Sequence, residues 1–80
     1  MSRAETLSKV QTLLRDTLDD DSIVLTDATT ANDVAEWDST NHVRLMIAIE
    51  AAFGVRFETD EITAPKSVGE LVTLIESKRK

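Results

Sequence analysis

The sequence predicts an all-α fold, a four-helix bundle with three longer helices, one short third helix and a long loop between the first two. Three observations point there. Only two Gly and one Pro interrupt the 80 residues. The capping pairs Ser2/Glu5 and Ser67/Glu70 each open a run of apolar residues at helical spacing. Between them, Asp38-Ser39-Thr40-Asn41 offers residue types that favour helix N-termini, ahead of an apolar run closed by Gly54.

Helix I is expected over residues 3–18, with Leu7, Val10, Leu13, Leu14 and Leu18 as its stripe and Arg3, Lys9 and Arg15 around the other side. Asp19-Asp20-Asp21 stops it. The following residues, up to Asp38, mix Thr, Asp, Ala and Asn with isolated anchors at Ile23, Val24, Leu25, Val34 and Trp37. Asp33 to Trp37 has the makings of one short helical turn. A connection this long is unusual in a small domain, and long ordered loops often carry function.

Helix II starts at Asp38 or Ser39 and runs to Gly54. Leu45, Ile49 and Ala52 fall on one side of it and Val43 and Ile47 on another, with Met46 and Phe53 between those groups and the polar arc. One helix in so small a domain rarely buries two apolar stripes, so one is expected to stay partly exposed as a contact surface. Val55-Arg56-Phe57 reads as an extended link, and Thr59 to Thr63 as a one-turn helix III capped by Thr59 and ended by Pro65. Ser67 and Glu70 then open helix IV, expected over residues 68–77 on Val68, Leu71, Val72 and Ile75. Lys78-Arg79-Lys80 complements the dipole at its end.

Composition narrows the function. The 15 Asp+Glu against 9 Lys+Arg give a net charge of −6, which argues against nucleic acid and favours basic protein partners. Without the Lys78-Arg79-Lys80 tail, 15 acids face 6 bases and the remainder carries −9. Eight of the acids lie from Asp16 to Asp38, with no base among them. There is no cysteine, hence no disulfide, no thiolate nucleophile and no thiolate metal site. No segment approaches a membrane span and the N-terminus lacks a signal-peptide stretch, so one cytoplasmic, monomeric domain is expected, without stable membrane insertion.

The sharpest local feature is Glu36-Trp37-Asp38-Ser39-Thr40, a serine where the acidic loop meets a helix. Two readings stand side by side. Asp38 or Ser39 is an ordinary N-cap, or Ser39 carries a phosphate that the helix N-terminus stabilises. Catalysis by Ser39 with His42 and Asp38 would need an oxyanion hole and a substrate pocket, and no GxSxG turn is present. The Asp19-Asp20-Asp21 run lacks the alternation, central Gly and closing Glu of a calcium loop, and one His without Cys disfavours zinc.

The chain resembles the acyl carrier proteins. The resemblance rests on Trp37-Asp38-Ser39, Val43, Leu45, Ile49, Glu50, Phe53-Gly54-Val55, Phe57, Ile62, Ser67-Val68, Leu71 and Ile75, and covers essentially the whole chain. It implies a non-enzymatic carrier with an acyl-carrier-type bundle. Ser39 matches the serine that receives 4′-phosphopantetheine from coenzyme A by the action of a phosphopantetheinyl transferase, and Asp38 the acid beside it. The arm's thiol holds acyl groups as thioesters, which reconciles thioester chemistry with a chain that has no cysteine. Implied partners are that transferase, a ligase that loads an acyl or aminoacyl group, and downstream acyl-processing enzymes.

The resemblance also divides helix II. Leu45, Met46, Ile49 and Phe53 match core positions, whereas Asp38, Thr40, Val43, Arg44, Ile47 and Glu50 match the transferase- and partner-recognition face. Thr40 replaces a usual Leu, and Arg44 and Ala51 stand where acids are common. These departures imply a carrier dedicated to a lipid or secondary-metabolite pathway rather than housekeeping fatty acid synthesis. A peptidyl or aminoacyl carrier and an acidic helical adaptor are the alternatives. The expected core is Leu7, Val10, Leu14, Leu18, Leu45, Met46, Ile49, Phe53, Ile62, Val68, Leu71 and Ile75.

Overall fold

In the computed structural model, which describes residues 2–79, Ser2 and Glu5 close on each other as their spacing predicts. Ser2 Oγ accepts from the Glu5 N–H at 3.2 Å, and the Glu5 carboxylate accepts from the Ser2 N–H at 3.0 Å. The Ser2 N–H first, and the Ser2 hydroxyl beside the carboxylate next, favour the ionised form and hold the Glu5 carboxyl below its ordinary 4.5. The two bonds start helix α1 (Arg3–Leu18), which ends on Asp19 in the left-handed conformation at φ 53°. Three further helices follow, α2 (Ser39–Phe53), α3 (Thr59–Thr63) and α4 (Val68–Lys78), with one 3-10 turn at Ala31–Asp33. No strand forms among the described residues.

Helix α1 is the hub, packing against both α2 and α4. Val10, Leu14 and Leu18 from α1, Leu45, Met46 and Ile49 from α2, and Val68, Leu71, Val72 and Ile75 from α4 form the buried centre. Leu7, Phe53 and Ile62, expected inside, are only partly buried at its edge. Ala52 shares the side of Leu45 and Ile49 but is exposed, in the last turn of α2. The stripe of Val43 and Ile47 stays open, 43% and 59% exposed, as the two-stripe pattern requires.

The acidic loop adds core that the helical pattern does not reveal. Ile23, Leu25 and Trp37 are buried, while Val24 between the first two is 68% exposed. Alternation of this kind is what an extended strand-like stretch gives when one side is covered. The backbone is held from α1, because Gln11 Oε1 accepts from Leu25 N–H at 2.9 Å and Arg15 Nε donates to the Ile23 carbonyl at 2.7 Å. Further on, Val68 N–H donates to Thr29 O at 2.8 Å and Gly69 N–H to Asp27 O at 2.9 Å. The loop carbonyls thus take up N–H groups that a helix start leaves free.

Boundaries shift where side chains reach back. The 3-10 turn lies at Ala31–Asp33 rather than Asp33 to Trp37, since the Asp33 carboxylate accepts from Thr30 N–H at 2.9 Å and fixes the start there. Helix α3 is capped at Glu58, not Thr59, because Glu61 Oε1 accepts from Glu58 N–H at 2.8 Å. Only half of the second capping box forms. Ser67 Oγ accepts from Glu70 N–H at 3.3 Å, but the Glu70 carboxylate turns to Lys66 N–H at 3.2 Å. The basic tail does more than face a dipole: Lys78 pairs with Glu61 at 2.6 Å and lies over Phe57, and Arg79 lies over Phe53. Lys80 lies outside the described residues.

Candidate functional site

Asp38 makes the cap of α2. Its backbone is extended, at φ −102°, and its Oδ1 accepts from Asn41 N–H at 2.9 Å. Asn41 Nδ2 in turn donates to the Glu36 carbonyl at 2.8 Å, which fixes the loop's arrival. Ser39 is therefore the first residue inside the helix. It is exposed and is not the group that closes the helix end.

The exposed stripe continues from it. With about 100° per residue, Ser39, Val43, Ile47 and Glu50 fall within about 80° of the helix circumference. Thr40 and Arg44 flank that strip and are exposed. Glu50 is half-buried, and its carboxylate accepts from Phe57 N–H at 2.8 Å, holding the extended link after Gly54. Gly54 itself takes φ 67°, the left-handed cap that favours glycine.

His42 is engaged through both of its ring nitrogens. It is half-buried, and its Nδ1 accepts from Trp37 Nε1–H at 3.0 Å. The proton then sits on Nε2, which donates to the Ile62 carbonyl. Both ring nitrogens are taken, so the imidazole holds structure together instead of activating Ser39. Sequence spacing offered no sign of this link, since residues five apart are not helical neighbours and Trp37 lies before the helix.

Beside Ser39 runs a groove of about 430 Å³, between Ala31, Trp37, His42, Val43, Thr63 and Pro65. Its floor has a short apolar side at Val43 and Pro65 and polar edges at Asp38 and Thr63. The arrangement can carry a group fixed to the Ser39 hydroxyl and shelter part of it. An exposed serine on a helix start, a histidine engaged on both ring nitrogens and an open groove thus lie together on an all-helical bundle.

The comparisons with known proteins agree. No protein-family model matches the chain. It is 36% identical to the acyl carrier protein of Petrotoga mobilis, over 98% of this chain and 92% of that protein. Its fold matches the solution NMR structure of holo acyl carrier protein from Geobacter metallireducens, with a TM-score of 0.84 and 40% identity, over 91% of this chain and 84% of that one. The chain belongs to the acyl carrier protein family. Members of that family are carriers, not enzymes, and their prosthetic group is a covalently held 4′-phosphopantetheine. No described helix is long and apolar enough to cross a membrane.

Proposed function

We propose that Ser39 is the attachment point of the 4′-phosphopantetheine arm and that the chain serves one dedicated lipid or secondary-metabolite pathway. One observation carries the first part: Asp38 closes the helix end, which leaves the Ser39 hydroxyl exposed at α2's positive end beside an open groove. Phosphoester formation there makes the Ser39 Oγ–P bond and breaks the diphosphate P–O bond of coenzyme A. Adenosine 3′,5′-bisphosphate leaves, and the serine proton passes to the transferase. The arm supplies a thiol that holds acyl groups as thioesters.

This chain's own residues position the attachment. Asp38 orients the first turn through Oδ1, and its other carboxylate oxygen would be available to a transferase and its metal. Val43 and Ile47 give loading and processing enzymes an apolar grip, with Thr40 and Arg44 selecting among them. Arg44 supports the dedicated role, because it sets a positive charge on the exposed flank where housekeeping carriers present acids.

Intact-mass measurement after incubation with coenzyme A and a broad-specificity phosphopantetheinyl transferase tests the site. The wild type should gain one phosphopantetheinyl group and Ser39→Ala none. Equal gain in both would place the arm elsewhere. For the pathway, turnover of the holo form by housekeeping fatty acid enzymes should be poor and should improve in Arg44→Glu. Efficient turnover of the wild type would refute the dedicated role.

A further inference from the structure

Three stretches of chain line the groove beside Ser39. Ala31 and Trp37 come from the loop, His42 and Val43 from α2, and Thr63 and Pro65 from the end of α3 and the link after it. His42 bonds to both of the other stretches. Trp37 Nε1 can only donate, so the His42 Nδ1 facing it at 3.0 Å is the accepting nitrogen, which leaves Nε2–H for the Ile62 carbonyl. Neither nitrogen is spent on Ser39.

We propose that His42 is a positioning residue for the modification of Ser39, holding the end of the loop and helix α3 in the places from which the serine hydroxyl is presented to a transferase. The proposal rests on Ser39 carrying the arm. Each tie stands where packing is thin. Helix α3 has five residues and no buried side chain, and among the described residues no other hydrogen bond joins it to α2. The loop end is similar. From Ala31 to Thr40 the indole of Trp37 is the only buried side chain, and Ser39 follows it by two residues.

The consequence is one of populations. Losing one such hydrogen bond shifts a local equilibrium by about 2- to 10-fold. When a segment leaves its place, the share of chains ready for the transferase falls, and the apparent affinity falls with it. The step that makes the Ser39 Oγ–P bond is untouched once a chain is seated, because the imidazole reaches no reacting atom. The defect therefore belongs in KM and not in kcat.

The test measures transfer from coenzyme A to the full chain by a broad-specificity phosphopantetheinyl transferase, with circular dichroism confirming that each variant is folded. In His42→Ala, KM for the carrier should rise about 2- to 10-fold while kcat stays within about 2-fold of the wild type. Two further variants separate the ties. Counted in bonds from Cβ, an Asn amide oxygen reaches the place of Nδ1 and a Gln amide nitrogen that of Nε2. His42→Asn should keep the Trp37 indole N–H resonance in place and speed amide exchange at Ile62 and Thr63; His42→Gln should do the reverse. Each should recover part of the KM lost in His42→Ala without reaching the wild-type value, a comparison with the wild type that holds even where His42→Ala does not fold. A wild type that gains no arm overturns the Ser39 reading and the positioning role with it. A modified wild type beside folded variants that all keep its KM overturns the positioning role alone. So does a loss of kcat at unchanged KM, or a defect in His42→Ala that neither Asn nor Gln reduces.

Discussion

At the residue scale, Gly69 shows how closely the loop is bound to α4. Its N–H donates to Asp27 O, and a Cβ added there would lie 2.8 Å from that same oxygen. The neighbour is backbone, which cannot swing aside. Gly69→Ala should therefore cost about 1–3 kcal/mol, the usual range for overpacking a tight site. Urea unfolding measures it, and an unchanged midpoint would show that the loop yields freely. Arg3 reinforces the same corner. Its guanidinium donates to Gly69 O at 2.8 Å and to Thr73 Oγ1 at 2.9 Å, and it approaches the Asp27 carboxylate at 3.4 Å. Nothing in the spacing of Arg3 announces this role, because its partners lie 24, 66 and 70 residues away.

At the element scale, α3 is the least anchored helix, with five residues and no fully buried side chain. Glu61 ties it down from two directions, through its own start and through Lys78. The Glu58 N–H bond first and the Lys78 ammonium next hold its carboxyl below the ordinary 4.5. A depressed carboxylate pKa stabilises the fold above the unfolded value and loses that contribution as pH falls through the folded one. The anchoring of α3 should thus be complete at neutral pH and fade on acidification below about 4.5. Amide exchange in Ile62 and Thr63 should rise there before exchange in α1, and Glu61→Gln should bring that rise to neutral pH. Equal acid sensitivity of α1 and α3 in the wild type would reject this account.

The same scale shows what was legible in the residues. Helices α1, α2 and α4 could be read off because their signals are local: caps, stripes and a closing glycine act within a turn or two. The exposed place of Ser39 at the start of α2 could be read for the same reason, standing where loop chemistry gives way to helix chemistry. The burial of Ile23 and Leu25 could not, since it depends on side chains of Gln11 and Arg15 reaching their backbone. Val55, read as part of an extended link, is buried as well, whereas the burial of Val72 follows from the α4 stripe that already contains it. The Trp37–His42–Ile62 link joins three elements and has no period at all.

At the scale of the whole molecule, charge is lopsided. Asp33, Glu36 and Asp38 precede Ser39 on the loop side, while Arg44 sits on the helix side. Basic partners should therefore engage the loop flank of the serine, with steering that weakens as salt rises. Replacing exposed Glu36 by Lys should slow transferase association more than Arg44→Ala does, with the largest difference at low ionic strength. Stopped-flow binding would measure it, and a larger effect from Arg44 would move the docking surface onto α2.

The corner where Arg3 meets Gly69 and Thr73 joins segments more than sixty residues apart, so one side of α1 is closed only by a stretch far along the chain. A variant cut before Val68 keeps the α2 contact of α1 and loses the α4 one. Its buried Val10 and Leu14 should then meet solvent, and limited proteolysis would show α1 cleaved far faster than in the full chain.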